Sequence, residues 1–128
     1  MSTFVMDIDS TISHAKYLPE FDRYDYKNGE PDLKVIQKIR DLAEEGHTII
    51  LFTARGMRTF KGDVNTLEEY HRPILEDWLG RHEVPYHQLI FGKPWFEDMY
   101  YVDDRALTIN QFVNSKDYEN DLEQNQER

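Results

Sequence analysis

The stretch FVMDIDST, Phe4 to Thr11, passes from three apolar residues directly into two carboxylates, Asp7 and Asp9, with a hydroxyl at Thr11. Phe4, Val5 and Met6 read as a short buried strand that ends where the charges begin. Two like charges two residues apart at such a strand end are costly unless something cationic neutralises them. A magnesium ion takes oxygen ligands and usually only one or two carboxylates, so it suits this geometry, as does the electrophilic phosphorus of a phosphate. A calcium-binding loop does not fit, because its glycine position falls on Ile12 and its closing glutamate on Leu18. A plain turn capped by the two acids remains open at this point, and the downstream sequence has to decide.

Composition bounds the answer. The chain has 128 residues, enough for one domain with a core, and its 39% hydrophobic and 13% aromatic content is that of a globular protein. No apolar run reaches the roughly 18 residues of a membrane span, and the N-terminus lacks the basic-then-apolar pattern of a signal peptide. Zero cysteines exclude a disulfide framework and a thiolate metal site, and suit a cytoplasmic location. A net charge of −10 argues against nucleic acid as a partner. The five histidines show no ligand spacing and are expected at the surface.

Residues 12 to 30 carry Pro19, Gly29 and four aromatics, Tyr17, Phe21, Tyr24 and Tyr26, and read as a loop or small hairpin. Pro31 then suits the first turn of a helix whose face is Val35, Ile39, Leu42 and Ala43, with Gly46 as its C-terminal cap. Thr48 to Phe52 is an apolar run expected as a strand buried on both faces. Thr66-Leu67-Glu68-Glu69 predicts a capped helix start, with Leu67, Tyr70, Ile74 and Trp78 inward and Pro73 kinking or splitting the helix. Leu89 to Phe91 and Met99 to Val102 are expected as third and fourth strands, followed by a short helix from about Ala106 to Val113. The polar tail, 115–128, carries five acids and is expected to be disordered, leaving 1–114 as the core domain.

Strands alternating with helices predict an α/β protein: a three-layer, Rossmann-like parallel sheet with helices on both faces. Such sheets bind ligands beyond the carboxyl ends of their strands. Those ends here carry Asp7 and Asp9, then Thr53, then Lys93, then Asp103 and Asp104. Two carboxylates, a hydroxyl, an ammonium and two further carboxylates make a phosphoryl-transfer constellation.

The ordered set DIDST, FTAR, GKP and VDD resembles the four motifs of the haloacid dehalogenase (HAD) superfamily of phosphohydrolases, and the likeness extends from Thr3 to about Phe112. The phrases FTARGM, LIFGKP and YVDDRAL are most similar to the small capsule-biosynthesis phosphatases of that superfamily. Ser10 departs from the pattern, since most members carry glycine after the second Asp, and this is expected to restrict the turn. The resemblance implies a Mg²⁺-dependent phosphomonoester hydrolase with an aspartyl-phosphate intermediate. In that scheme Asp7 is the nucleophile and Asp9 the general acid and base. Thr53 and Lys93 hold the phosphoryl oxygens, with backbone near Ala54 assisting. Asp7, the carbonyl of Asp9, Asp103 and Asp104 form the metal shell. Arg55 reads either as a substrate contact or as a surface residue, and Asp104 either as a metal ligand or as a partner of Arg105.

A cap domain would have to lie in residues 12–30 or 54–88, and neither gap has room for one, so the resemblance implies a cap-less HAD-like core. Selectivity would rest on the aromatics between Ser13 and Glu30 and on Arg55 to Asp63, for a sugar phosphate or related small phosphorylated metabolite. A phosphoprotein or a nucleic-acid 3′-phosphate is the alternative substrate, and a non-catalytic phosphate-binding module the alternative role. A receiver domain uses the same groups in another order, with its acidic pair first, and the order here argues against it. The sequence does not fix the oligomeric state.

Overall fold

The computed structural model describes residues 1–61 and 63–126. The chain forms two compact units, Met1–Phe96 and Glu97–Arg128. In the first, β1 (Thr3–Asp7) is followed by four two-residue strands, β2 (Ser13–His14), β3 (Tyr17–Leu18), β4 (Arg23–Tyr24) and β5 (Glu30–Pro31). Then come α1 (Leu33–Glu44), β6 (Thr48–Thr53), α2 (Val64–Arg81) and β7 (Gln88–Phe91). The sheet β1-β6-β7 is parallel throughout, with Phe4 opposite Ile49, Met6 opposite Leu51 and Thr53 opposite Phe91. The protein is therefore α/β, and no cap domain is present among the described residues.

Both crossovers step the same way across the sheet, and right-handed connections of that kind put their helices on one face. Burial follows. Met6, Ile49, Leu51, Leu89 and Phe91 are buried, whereas on the opposite face Val5 is 60% exposed and Ile50, Phe52 and Ile90 are half-buried. Within this unit the sheet thus carries its helices on one face, not both. The run Thr48 to Phe52 is accordingly not buried on both faces, because its apolar composition hides an alternation that only packing creates.

The helix α1 forms as expected, but Asp32, not Pro31, sets its start, accepting a hydrogen bond from the Val35 N–H. Pro31 lies in β5. Val35, Ile36, Ile39 and Leu42 are buried, each contributing about 1.5–3 kcal/mol by leaving water. Gly46 follows the helix at φ 95, in the left-handed region that glycine enters without cost. The helix α2 starts earlier than the Thr66 pattern predicts, with Asp63 as its cap on the Thr66 N–H. Its buried face is Leu67, His71, Leu75, Trp78 and Leu79, while Tyr70 is 52% exposed. Pro73 does not split it, so the packing of that face outweighs one lost backbone bond.

Residues 12–31 form a hairpin-bearing segment, β2 pairing with β5 and β3 with β4. Trp78 Nε1 donates to the Gly29 carbonyl at 3.0 Å and Arg81 to the Lys27 carbonyl at 2.7 Å, which fastens the segment to α2.

The second unit holds α3 (Ile109–Asn114) and α4 (Tyr118–Asn125). A capping box between Thr108 and Gln111 opens α3, so it begins later than Ala106. The stretch Met99 to Val102 is not a strand: it has no regular structure, and Tyr100 and Val102 are 90% and 97% exposed. A strand needs a partner ladder, and local apolar composition does not provide one. The tail is not wholly irregular either. Asp117 caps α4 through the Asn120 N–H, and the Tyr118 hydroxyl donates to the Phe112 carbonyl at 2.8 Å.

Candidate active site at the carboxyl ends of the strands

Asp7 is the last residue of β1, and Lys93 lies two residues past the end of β7. The Lys93 N–H donates to the Thr53 carbonyl at 3.1 Å, which carries the sheet pairing one step beyond β7. Gly92, at φ 91, makes the bend that turns the lysine inward. Lys93 Nζ then donates to Asp7 Oδ1 at 3.0 Å, and Thr11 Oγ1 donates to Asp7 Oδ2 at 2.8 Å. The carboxylate remains about a third exposed.

The turn that brings Thr11 back to Asp7 is wound on a single carbonyl. Ile8 O accepts from the N–H groups of Thr11, Ile12 and Ser13. Ser10 sits in this turn at φ 68, in the left-handed region. Serine is accommodated there at a strain of about 1 kcal/mol, so its departure from glycine does not prevent the turn.

Asp9 has a different cation. Arg55 Nε donates to its Oδ1 at 3.0 Å and to its Oδ2 at 3.3 Å, and Thr53 Oγ1 donates to Oδ2 at 3.2 Å. The Arg55 backbone N–H in turn donates to Thr53 Oγ1 at 3.0 Å. Three residues thus close a ring of hydrogen bonds. The Arg55 side chain is completely buried, whereas that of Asp9 is 31% exposed. Arg55 is therefore not the surface residue that was one of the two readings the sequence allowed. Its guanidinium carbon lies 4.3 Å from the centre of the Tyr26 ring, a cation–π stack. Its Nη1 and Nη2 atoms are buried without a hydrogen-bond partner among the described residues. Each such orphaned donor costs about 1–3 kcal/mol.

Burial holds the Asp9 carboxyl above its ordinary range, against the opposing pull of Arg55 and Thr53, and the charge of Asp7 pushes the same way as burial. The Tyr26 phenol is pushed up to about 12, first by burial and then by the negative charge of Asp9. His71 is buried beside the Tyr26, Phe60 and Tyr70 rings, not at the surface as its lack of ligand spacing suggested. Its spacing from Leu67 and Leu75 on α2 is the signal that places it on the apolar stripe.

Of the residues picked from the sequence, Asp7, Asp9, Thr53, Arg55 and Lys93 are joined by direct contacts. Ala54 is half-buried at the end of β6, its carbonyl accepting from the Met57 N–H. Asp103 and Asp104 belong to the second unit, on an exposed irregular segment. There Asp103 accepts from the Arg105 N–H at 2.8 Å, and the Asp104 carbonyl accepts from Gln126 Nε2. Among the described residues no three acidic or histidine side chains converge as a metal cluster. Lys93 and Thr11 each engage one oxygen of Asp7, whose side chain is 36% exposed, so a metal there would share the carboxylate with these donors. An oxygen-only site with a single carboxylate fits Mg²⁺, which keeps most of its waters.

No helix among the described residues is long and apolar enough to cross a membrane. No family model and no curated protein matches the chain. Among solved structures it is similar to the crystal structure of an MCSG target from Vibrio cholerae, with 33% identity and a TM-score of 0.84, over 98% of this chain and 100% of that one. At that identity across nearly the full length of both, the chain belongs to the same family as the Vibrio cholerae protein.

Proposed function

We propose that this protein is a phosphomonoester hydrolase of the HAD type, requiring Mg²⁺ and acting on a small phosphorylated metabolite. The observation that carries the reading is the division of two neighbouring carboxylates between two cations. Lys93 and Thr11 hold Asp7, while Arg55 and Thr53 hold Asp9. Paired acids with identical surroundings would share one role, and paired acids held apart can take two.

In this mechanism an Asp7 carboxylate oxygen attacks phosphorus as the bond to the leaving oxygen breaks, and Asp9 gives that oxygen its proton. Asp9 then takes a proton from water, which attacks the phosphorus of the aspartyl-phosphate and releases phosphate and free Asp7. Lys93 offsets charge on Asp7 and on the phosphoryl oxygens. Asp7 and the Asp9 carbonyl would hold Mg²⁺, which would supply charge neutralisation for the transferring phosphoryl group, and Asp103 and Asp104 are the further ligands that the resemblance implies. Selectivity falls to the segment between Ser13 and Glu30. Its Tyr17 and Tyr24 rings are 45% and 50% exposed and 5.3 Å apart, and offer faces and phenols to a sugar ring.

The test is hydrolysis of p-nitrophenyl phosphate by purified protein. Activity should require Mg²⁺, disappear with EDTA and be lost in Asp7→Asn, where an amide cannot attack phosphorus. Undiminished turnover in that variant would refute the covalent mechanism. A panel of sugar phosphates, nucleotides, phosphopeptides and 3′-phosphorylated oligonucleotides, compared by kcat/KM, tests the substrate class. A preference for either macromolecular substrate would overturn that part alone.

A further inference from the structure

We propose that Arg55 is a positioning residue, which fixes the Asp9 carboxylate for proton transfer and does not itself touch substrate. The inference rests on the phosphatase reading and adds a residue to it. A guanidinium with no exposed surface, lying behind a carboxylate that is 31% exposed, can reach a ligand only through that carboxylate. The contact is made through Nε alone, to both oxygens of Asp9, while the Thr53 hydroxyl engages Oδ2. The backbone N–H of Arg55 holds that hydroxyl in turn, so rotation of the Asp9 carboxylate would break bonds from two residues together. Behind the guanidinium the Tyr26 ring closes the stack at 4.3 Å.

The rest of the environment is built to keep Arg55 in this place. Gly56, the next residue, has φ 78, and a Cβ there would meet Leu67 Cβ at 2.8 Å and His71 Cδ2 at 2.9 Å. The loop after β6 can therefore press against α2 only with glycine at that position. Lysine in place of Arg55 would keep the charge, but it has neither the planar face for Tyr26 nor a donor at the Nε position.

The experiment compares wild type, Arg55→Lys, Tyr26→Leu and Asp9→Asn on two substrates that differ in leaving group, p-nitrophenyl phosphate and phenyl phosphate. A displaced acid should slow departure of the poorer leaving group most. For Arg55→Lys, kcat on phenyl phosphate should fall by about 100-fold, with a clearly smaller loss on p-nitrophenyl phosphate and KM within about threefold on both. Tyr26→Leu, which keeps Arg55 but removes its backing, should show the same selectivity in weaker form, and it serves if Arg55→Lys does not fold. A tenfold or greater rise in KM at constant kcat would overturn the inference by making Arg55 a substrate contact. Equal losses of kcat on the two substrates, or wild-type kinetics, would also overturn it. Asp9→Asn separates the two levels. If it shows the leaving-group selectivity and the other variants do not, only the role of Arg55 falls. If Asp9→Asn lacks that selectivity, the acid role of Asp9 falls and takes this inference with it.

Discussion

His71 gives the most direct test of how the interior around the site is built. Its ring lies 4.8 Å from Tyr70, 5.6 Å from Tyr26 and 6.1 Å from Phe60, its Nδ1 is buried without a partner among the described residues, and Arg55 adds positive charge nearby. Burial and then that charge lower its pKa to about 4, from 6.5. Well above pH 6.5 neither the folded nor the unfolded chain protonates this residue. Between about 4 and 6.5 the unfolded chain binds a proton there that the folded chain does not, so stability falls as pH drops through this window. Integrating the two titrations from pH 7.5 to pH 5 gives a loss of about 2 kcal/mol. The perturbation is His71→Phe, which keeps an aromatic ring and removes the proton site. Urea unfolding followed by tryptophan fluorescence at pH 7.5 and 5.0 is the assay. With an m-value of about 2 kcal/mol/M, the wild-type midpoint should fall by about 1 M more than that of the variant. Other acids titrate in both proteins, so only the difference counts. Equal midpoint shifts in the two proteins would refute the claim that His71 is buried in its neutral form.

Trp78→Phe removes a fully buried indole and the partner of the Gly29 carbonyl; unfolding experiments should show a loss of about 2–4 kcal/mol, and a change below about 1 kcal/mol would contradict the anchoring of the 12–31 segment on α2. Gly56→Ala combines a left-handed backbone with close contacts to Leu67 and His71, and should cost about 2–4 kcal/mol, read as a lowered melting temperature. Under the proposed mechanism, with Asp103 as the direct metal ligand, Asp103→Ala should weaken the Mg²⁺ dependence of activity far more than Asp104→Ala, because a direct ligand sets affinity more strongly than a neighbour does. Coincident Mg²⁺ titrations of the two variants would remove that distinction.

Much of the site was legible because it obeys local rules. An apolar run that stops at a charge marks a strand's carboxyl end, and parallel sheets gather those ends on one side. Asp7, Thr53 and Lys93 were found in that way, and the structure joins Lys93 to Asp7 and Thr53 to Asp9. The α1 helix was legible for a similar reason, since Val35, Ile39 and Leu42 repeat at the helical period and Gly46 ends the pattern. The turn at Ser10 was only half legible. The sequence flagged a departure from glycine, but not that the backbone would take φ 68 to wind three N–H groups onto the Ile8 carbonyl.

What the sequence by itself determined is thus the succession β1, α1, β6, α2, β7, and the polar residues delivered to the ends of β1, β6 and β7. Those features depend on neighbours within a few residues, where periodicity and backbone chemistry act directly. Tertiary structure alone decided which cation serves which acid. Arg55 reaches Asp9 across 46 positions and Lys93 reaches Asp7 across 86, and no local pattern assigns such partners. It also rotated the buried face of α2 from Tyr70 to His71, and left Met99 to Val102 outside any sheet. In each case burial against a distant element outweighed a local preference that several arrangements satisfy equally well.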